Sequence, residues 1–351
     1  MIQETMMSYM LDEIRQQPDV VLDLIEHERT SVAELAREIR RRDIKMVVMA
    51  ARGTSDHAAV YGKYLLEVHN GYPVALADCS VFTLYSAKLR MENALVIGIS
   101  QSGESADVTE YLQQSKRLGA LTAVITNEPG STLTKVAHYT ILCHAGKEVA
   151  VAATKTYTSA LAALYLMSAS LADAASRVDE LLKCAEIMRE VLGVEPDIAD
   201  RAERYRYMHD GYVISRGFNY CTAMEMALKL AETCYTGLNA YSAADFLHGP
   251  IAAVNEADPC FLIAPPGRAY ANMLDIAHRL RERGAETVIL SSEEEILSIA
   301  TTSFRIGATP PEELSPLVYI IPGQLLAYHL SVARGHDPDR PRGLSKVTIT
   351  R

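Results

Sequence analysis

The sequence predicts an α/β protein made of two tandem copies of one unit, each a parallel sheet with helices on both faces. Two observations carry this reading. From Lys45 onward, short apolar runs alternate with longer amphipathic ones, the pattern of a parallel sheet covered on both sides. The second half then repeats the first. Val47-Val48-Met49 before Arg52-Gly53 matches Tyr212-Val213-Ile214 before Arg216-Gly217, an offset of 216 − 52 = 164. Gly119-Ala120 matches Gly284-Ala285, an offset of 284 − 119 = 165. Each dipeptide is common by itself, but two anchors agreeing within one residue point to an internal duplication. A length of 351 residues fits two ordinary domains.

The elements follow in order. Residues 4–17 carry apolar positions at helical spacing, and Pro18 breaks the run. A second helical stretch covers 19–28, and Ser31 is placed to cap a third over 32–42, with Glu34 completing a capping box. Strands are expected at 46–50, 94–99, 121–125 and 139–142, and helices at 55–68 and 104–118. Residues 154–174 form a long apolar helix suited to the interior or an interface. The copies should meet near 175–199, a charged stretch with Pro196 near its end, and the second copy shows strands at 212–214 and 287–290. From Gly335 to Lys346 the chain is rich in Pro, Gly and charge, so it should run as an extended tail. The expected organisation is a helical lead-in at 1–44, domains at 45–180 and 195–335, and a tail at 336–351.

Bulk properties exclude some function classes. A net charge of −10 disfavours nucleic acid as a partner. It leaves room for a small anion, which backbone N–H groups at a helix start bind locally. No apolar run reaches the ~18 residues of a membrane span, and the chain start lacks a signal-peptide pattern. The expected location is therefore cytoplasmic. The six cysteines, Cys79, Cys143, Cys184, Cys221, Cys234 and Cys260, form no Cys-x-x-Cys pair and read as reduced, mostly buried thiols.

Ser100-Gln101-Ser102-Gly103-Glu104-Ser105 follows a buried strand and opens a helix. Open α/β sheets bind ligands at that place, and the helix dipole favours an anion there. Gly53-Thr54-Ser55 sits at the same kind of junction. Helix capping accounts for Thr54 and Ser55 taken alone. Three hydroxyls within six residues exceed what capping requires, so the Ser100 cluster reads as a phosphate site. Neither a P-loop nor a G-x-G-x-x-G fingerprint is present.

Glu225, Lys229 and Glu232 fall at i, i+4 and i+7 of an expected helix and share one face. Glu225 and Lys229 read as an ordinary helix ion pair worth a few tenths of a kcal/mol. Glu232 is flanked by Ala227, Leu228, Leu230, Ala231 and Cys234, which predicts a desolvated carboxylate suited to proton transfer. His248 precedes the turn dipeptide Gly249-Pro250, where a histidine is often only a solvated surface group, and Lys346 in the tail reads alone as solvated charge.

Together these segments carry a resemblance. The Ser100–Ser105 loop resembles the sugar-phosphate loop of SIS (sugar isomerase) domains. With Gly53-Thr54-Ser55 it resembles the isomerase half of glucosamine-fructose-6-phosphate synthase over nearly the whole chain, including Tyr9-Met10-Leu11-Asp12-Glu13-Ile14 and Gln17-Pro18. Arg52-Gly53-Thr54-Ser55-Asp56-His57-Ala58, Ala152-Ala153-Thr154-Lys155 and Phe246-Leu247-His248-Gly249-Pro250 are similar to stand-alone, synthase-like glucosamine-6-phosphate deaminases. The resemblance implies two tandem flavodoxin-like SIS domains and a sugar-phosphate substrate. It assigns Gly53, Thr54, Ser55, Ser100, Gln101, Ser102 and Ser105 to the phosphate and Ala152, Ala153 and Thr154 to the sugar. It makes Glu232 the proton shuttle between C1 and C2, with Lys229 in the same site. It gives His248 ring opening, contributed from the other subunit of a homodimer. The tail segment Asp339-Arg340-Pro341-Arg342-Gly343-Leu344-Ser345-Lys346 would bring Lys346 to the sugar C2 region, either adding to the carbonyl or stabilising its oxygen. No metal or redox cofactor is implied.

The synthase uses a glutaminase domain with a cysteine at the chain start. This sequence begins Met1-Ile2-Gln3, and its first cysteine is Cys79. The expectation is therefore deamination of glucosamine 6-phosphate. A fructosamine-6-phosphate deglycase and an ammonia-dependent amino-sugar phosphate synthase or isomerase are the alternative enzymes. A non-enzymatic sugar-phosphate sensor would not need Glu232, His248 and Lys346 together.

Overall fold

The computed structural model describes residues 8–346. The ends of the expected lead-in (1–7) and tail (347–351) lie outside the described residues. The chain divides into two compact units. The first comprises Asp19–Gly146 and Thr156–Glu186; the second comprises Lys147–Lys155 and Ile187–Lys346 with the chain start up to Pro18.

Along the first half run α1 (Tyr9–Arg41), β1 (Met46–Ala50), α2 (Thr54–Asn70), β2 (Val74–Leu76), α3 (Ser80–Thr83), β3 (Ala94–Ile99), α4 (Ala106–Arg117), β4 (Leu121–Thr126), α5 (Thr132–Val136), β5 (Tyr139–Leu142), α6 (Lys155–Leu171) and α7 (Ala175–Val191). The strands pair in the order β2-β1-β3-β4-β5, all parallel. β3 and β4 are buried at every residue, which explains their unbroken apolar runs. Val48, Val96 and Val124 meet Val108, Tyr111 and Leu112 of α4 in the core on one face.

The second half runs α8 (Glu195–Ala202), β6 (Asp210–Ser215), α9 (Tyr220–Cys234), β7 (Gly237–Ser242), α10 (Ala243–Leu247), β8 (Pro259–Ile263), α11 (Tyr270–Glu282), β9 (Glu286–Ser291), α12 (Glu294–Leu297), β10 (Thr302–Arg305) and α13 (Ser315–Ala333). Its strand order is β10-β9-β8-β6-β7, again parallel. Read from β7, this is the order 2-1-3-4-5 of the first sheet, the flavodoxin-like arrangement. Strand starts recur at 210 − 46 = 164, 259 − 94 = 165 and 286 − 121 = 165, so the duplication read from two dipeptides extends to the topology.

Three expectations need correction. Tyr9–Arg41 is one helix where three were expected, and Ser31 lies inside it rather than capping it. Proline cannot donate the N–H that would reach the Ile14 carbonyl. The Gln17 side chain supplies the missing donor, its Nε2 lying 2.9 Å from Ile14 O and 2.8 Å from Gln324 Oε1. β2, β7, β8 and β10 had no reading from sequence; β2 is only three residues long with one buried position. Finally, Glu312–Ala333 is long and apolar enough to cross a membrane, yet 83% of that window is buried inside the protein. It is a core helix, and α9 lies against it through Thr233 Oγ1 and Cys234 Sγ, both bonded to Ala327 O. All six cysteines are buried free thiols.

Gln17→Ala should remove the donor that lets α1 pass through Pro18 and leave Gln324 facing an apolar gap. We expect a loss of about 1–3 kcal/mol, read as a lower urea midpoint with an unchanged slope.

Candidate active site

In the first unit, the loops after β1 and β3 lie at the switch point of the sheet, where adjacent strands connect in opposite directions. Gly53 is the N-cap residue of α2, with φ 55°, and Thr54 and Ser55 are its first two helical residues. They are therefore not caps, as the sequence alone suggested, but part of the turn that opens the helix. Ser100 to Ser105 lead into α4. Gly103 has φ 64°, and a Cβ there would lie 2.1 Å from Ser131 Oγ, so glycine is required on both counts. Glu104 ties the loop to α5, accepting from Thr132 N and Oγ1 at 2.9 and 2.6 Å. These bonds lower its pKa.

One buried carboxylate joins the two loops. Asp107 accepts from Arg52 Nε at 2.8 Å and from Ser105 Oγ at 2.8 Å. Its own backbone neighbour Val108 donates to the same oxygen as Ser105. Arg52 thus stands beside the hydroxyl loop as a fixed cation. Nothing in the sequence pattern marked Asp107 or its pairing with Arg52.

In the second unit, α9 brings Glu225, Lys229 and Glu232 into direct contact. Lys229 Nζ lies 3.2 Å from Glu225 Oε1 and 2.7 Å from Glu232 Oε2. The Lys229 and Glu225 side chains have no exposed surface, while that of Glu232 is 21% exposed. This is not the weak surface pair expected from the spacing, and Glu232 does not stand among apolar groups alone. Burial works against the Lys229 ammonium, but the charges of Glu225 and then Glu232 outweigh it and hold its pKa above the ordinary lysine value.

Ala152, Ala153 and Thr154 occupy an irregular segment of this unit before α6, Ala152 and Thr154 being fully buried. Two carboxylates hold it. Glu148 Oε1 accepts from Thr154 N at 2.9 Å. Glu13 of α1 accepts from the backbone N–H groups of Val149 and Ala150. Lys346 of the tail is not solvated charge: its Nζ lies 2.7 Å from Glu148 Oε2 and 2.8 Å from Ala150 O. Further back the tail is fixed by Asp339, whose carboxylate accepts from Ser8 Oγ and from Tyr9 and Met10 N at the start of α1. His248 is exposed at the end of α10 and makes no side-chain bond to any of these groups. The hydroxyl loops thus belong to the first unit; the α9 triad, His248, the 147–155 segment and the tail belong to the second.

Two expectations test this geometry. Lys229→Met leaves Glu225 buried without its cation and should cost ~3–5 kcal/mol in a denaturation curve, far more than a surface pair. Glu13 tests the hold on the 147–155 segment. Burial, partly offset by the Val149 N–H and reinforced by Glu148, raises its pKa from 4.5 to about 7. Between those values the folded chain keeps a proton that the unfolded chain releases, so stability from this group falls as pH rises from 4.5 to about 7. Glu13→Gln should remove that part of the slope when urea midpoints are compared at pH 5 and pH 7.5.

Comparison with known proteins agrees with this architecture. The family model for the SIS domain matches residues 40–170 and 209–334. The chain is 36% identical over 351 residues to a glutamine–fructose-6-phosphate aminotransferase (isomerizing) of Thermococcus kodakarensis, covering 97% of this chain and 58% of that protein. It therefore spans little more than half the length of that relative. Among solved structures, the C-terminal domain of glucosamine-fructose-6-phosphate aminotransferase from Francisella tularensis superposes with a TM-score of 0.87 at 26% identity, covering 97% of this chain and all of that one. A glucosamine-6-phosphate deaminase from Thermotoga maritima shares the fold at TM-score 0.80 and 20% identity, covering 98% of this chain and 100% of that one. With the two matched segments taking in both parallel sheets, the chain belongs to the SIS domain family.

Proposed function

We propose that this chain is a sugar-phosphate enzyme that deaminates glucosamine 6-phosphate: glucosamine 6-phosphate and water give fructose 6-phosphate and ammonia. The observation that carries the reading is the α9 triad, in which a dry lysine and a dry carboxylate back one carboxylate that reaches the surface. Such an arrangement holds Glu232 in one place while leaving it open to a substrate carbon acid.

In this reading the hydroxyls of Thr54, Ser55, Ser100, Ser102 and Ser105, with Gln101 and the turn at Gly53, hold the phosphate. Arg52 adds positive charge beside them. His248 assists ring opening. Glu232 takes the proton from C2 of the open-chain amino aldose and returns it at C1. The enolamine so formed becomes a ketimine, which water hydrolyses with loss of ammonia. Lys229 keeps Glu232 oriented, and Lys346 serves the C2 region. The motif resemblance to the deaminase subgroup supports this direction, and the fold is one that a Thermotoga maritima deaminase also has. The aminotransferase relatives favour a second reading in which ammonia is added to fructose 6-phosphate. It uses the same C1–C2 proton transfer in reverse. The same reading makes the chain a homodimer in which His248 reaches the site from the other subunit.

Purified protein given glucosamine 6-phosphate should release ammonia and fructose 6-phosphate in equal amounts. Glu232→Gln should lower kcat by ~10²-fold or more with little change in KM. Full turnover in that variant would remove Glu232 from the mechanism. Release of an amine from fructosamine 6-phosphates, without ammonia from glucosamine 6-phosphate, would replace the deaminase by a deglycase.

A further inference from the structure

The α9 triad and the hydroxyl loops account for a proton shuttle and an anion cradle. They leave unexplained a carboxylate that no motif marks. Glu148 has no exposed side-chain surface, and each of its oxygens is engaged by a different segment. Oε1 accepts from Thr154 N, at the end of the segment that also carries Ala152 and Ala153. Oε2 accepts from Lys346 Nζ at 2.7 Å. A fully buried carboxylate is costly unless it is both paired and hydrogen-bonded. Here the tail supplies the cation and the segment supplies the N–H. The second acceptor of Lys346, Ala150 O, belongs to the same segment. The ammonium is therefore held at two points on one short stretch of chain, and the Lys346 side chain keeps 24% of its surface.

The tail that carries the lysine has no regular secondary structure to aim it. Its first fixed point is Asp339 on the start of α1, reinforced by Val151 N donating to Asp339 O at 3.1 Å. Between Asp339 and Lys346 the chain is mostly exposed, with Arg342, Gly343, Leu344 and Ser345 all open to solvent. Arg342 adds a further hold, its N–H donating to Tyr235 Oη at 2.8 Å and its guanidinium lying over the Tyr235 ring; a lysine four residues beyond it would still sample many positions unless something fixed its head group. Lysine loses much of its rotamer freedom when held, and a charge-assisted bond to a buried carboxylate offsets this loss.

We propose that Glu148 is the positioning residue for Lys346: its carboxylate docks the tail lysine onto the Ala150–Thr154 segment and so fixes where that amine meets the substrate. This rests on the function proposed above for Lys346, but its structural half, the docking of the tail, can be read without any substrate. The proposal separates Glu148 from a carboxylate that only caps Thr154 N–H. A cap would tolerate Glu148→Gln, whose amide oxygen still accepts that N–H. A docking residue would not, because the charge that draws in the ammonium is gone.

The test uses the full-length protein with Glu148→Gln, Glu148→Ala, Lys346→Met and the double variant Glu148→Gln/Lys346→Met. Hydrogen exchange of peptides covering 336–346 reads docking. We expect exchange there to rise at least ~10-fold in Glu148→Gln, as for a lost charge-assisted bond, with exchange in β8 and β9 unchanged. Turnover of glucosamine 6-phosphate reads positioning. We expect kcat to fall ~10-fold or more in Glu148→Gln while KM stays within about threefold. The double variant should be no slower than Lys346→Met, since the carboxylate acts through the amine. Glu148→Gln is the folded control for Glu148→Ala, which also strips the Thr154 N–H of its acceptor. Unchanged exchange in Glu148→Gln would overturn the proposal, and so would a double variant whose losses simply add. Wild-type protein with no turnover but a docked tail that Glu148→Gln releases would sink the deaminase reading and sustain the docking. Wild-type turnover that survives Lys346→Met intact would remove Lys346 from the reaction and overturn the positioning role with it.

Discussion

An ammonium with no contact to water constrains the second unit. Lys229 stays charged on α9 because Glu225 and Glu232 flank it, each about one turn away along the same face. One cation between two carboxylates leaves a surplus negative charge. That surplus cannot rest on Glu225, which has no exposed surface, without the full cost of a buried ion. It is tolerable on Glu232, whose side chain reaches solvent. The burial of one lysine thus decides which carboxylate faces solvent. α9 lies against α13, which is buried along almost its whole length, through Met226, Thr233 and Cys234.

The duplication gave two sheets of one topology but not two equivalent sites. In the first unit the loop after β3 presents Ser100, Ser102 and Ser105, and Asp107 braces it against Arg52. In the second unit the loop after β8 reads Ala264-Pro265-Pro266-Gly267-Arg268-Ala269 and has no hydroxyl. A carboxylate of the chain itself, Glu312, accepts from Arg268 N there at 3.0 Å, and Gly267 leaves room for it. An anion would meet a negative charge at this second switch point. The asymmetry also runs the other way. Moved back by 164 residues, the offset of the Arg-Gly pairs, Glu225, Lys229 and Glu232 fall on Tyr61, Leu65 and Val68 of α2, so the first copy carries no such triad. Each copy thus carries a different one of the two side-chain clusters.

What the sequence made legible follows from what leaves a local trace. Central strands such as β3 and β4 show as unbroken apolar runs because both faces are covered. The hydroxyl loop shows because three serines cluster at a strand end. Features made by distant side chains leave no such trace. The helix through Pro18 depends on one glutamine amide standing in for a backbone donor, which hydrophobic spacing cannot reveal. The spacing of Glu225, Lys229 and Glu232 gives their common face but not its burial, and a dry network therefore read as an ordinary surface pair. Arg52 and Asp107 are 55 positions apart, and Glu148 and Lys346 are 198 apart. No periodicity or short motif connects residues at such distances.

These long-range pairs share a physical cause. The start of α1, residues 147–155 and the tail each expose backbone groups that no sheet partner satisfies, and buried groups of that kind must find acceptors or donors elsewhere. Glu13 answers for Val149 and Ala150, Asp339 for Tyr9 and Met10, Glu148 for Thr154 and the Lys346 ammonium, and Lys147 O and Gln16 for the Lys155 ammonium. Each segment completes another, so none is ordered alone. An irregular stretch lined by small residues can therefore be held in place without a sheet partner. The cost is a concentration of buried charge, and Glu13 records it in a carboxyl group pushed up to about 7. Chain ends that look dispensable in sequence become structural members of the second unit, because a segment without a sheet must borrow its hydrogen bonds from them.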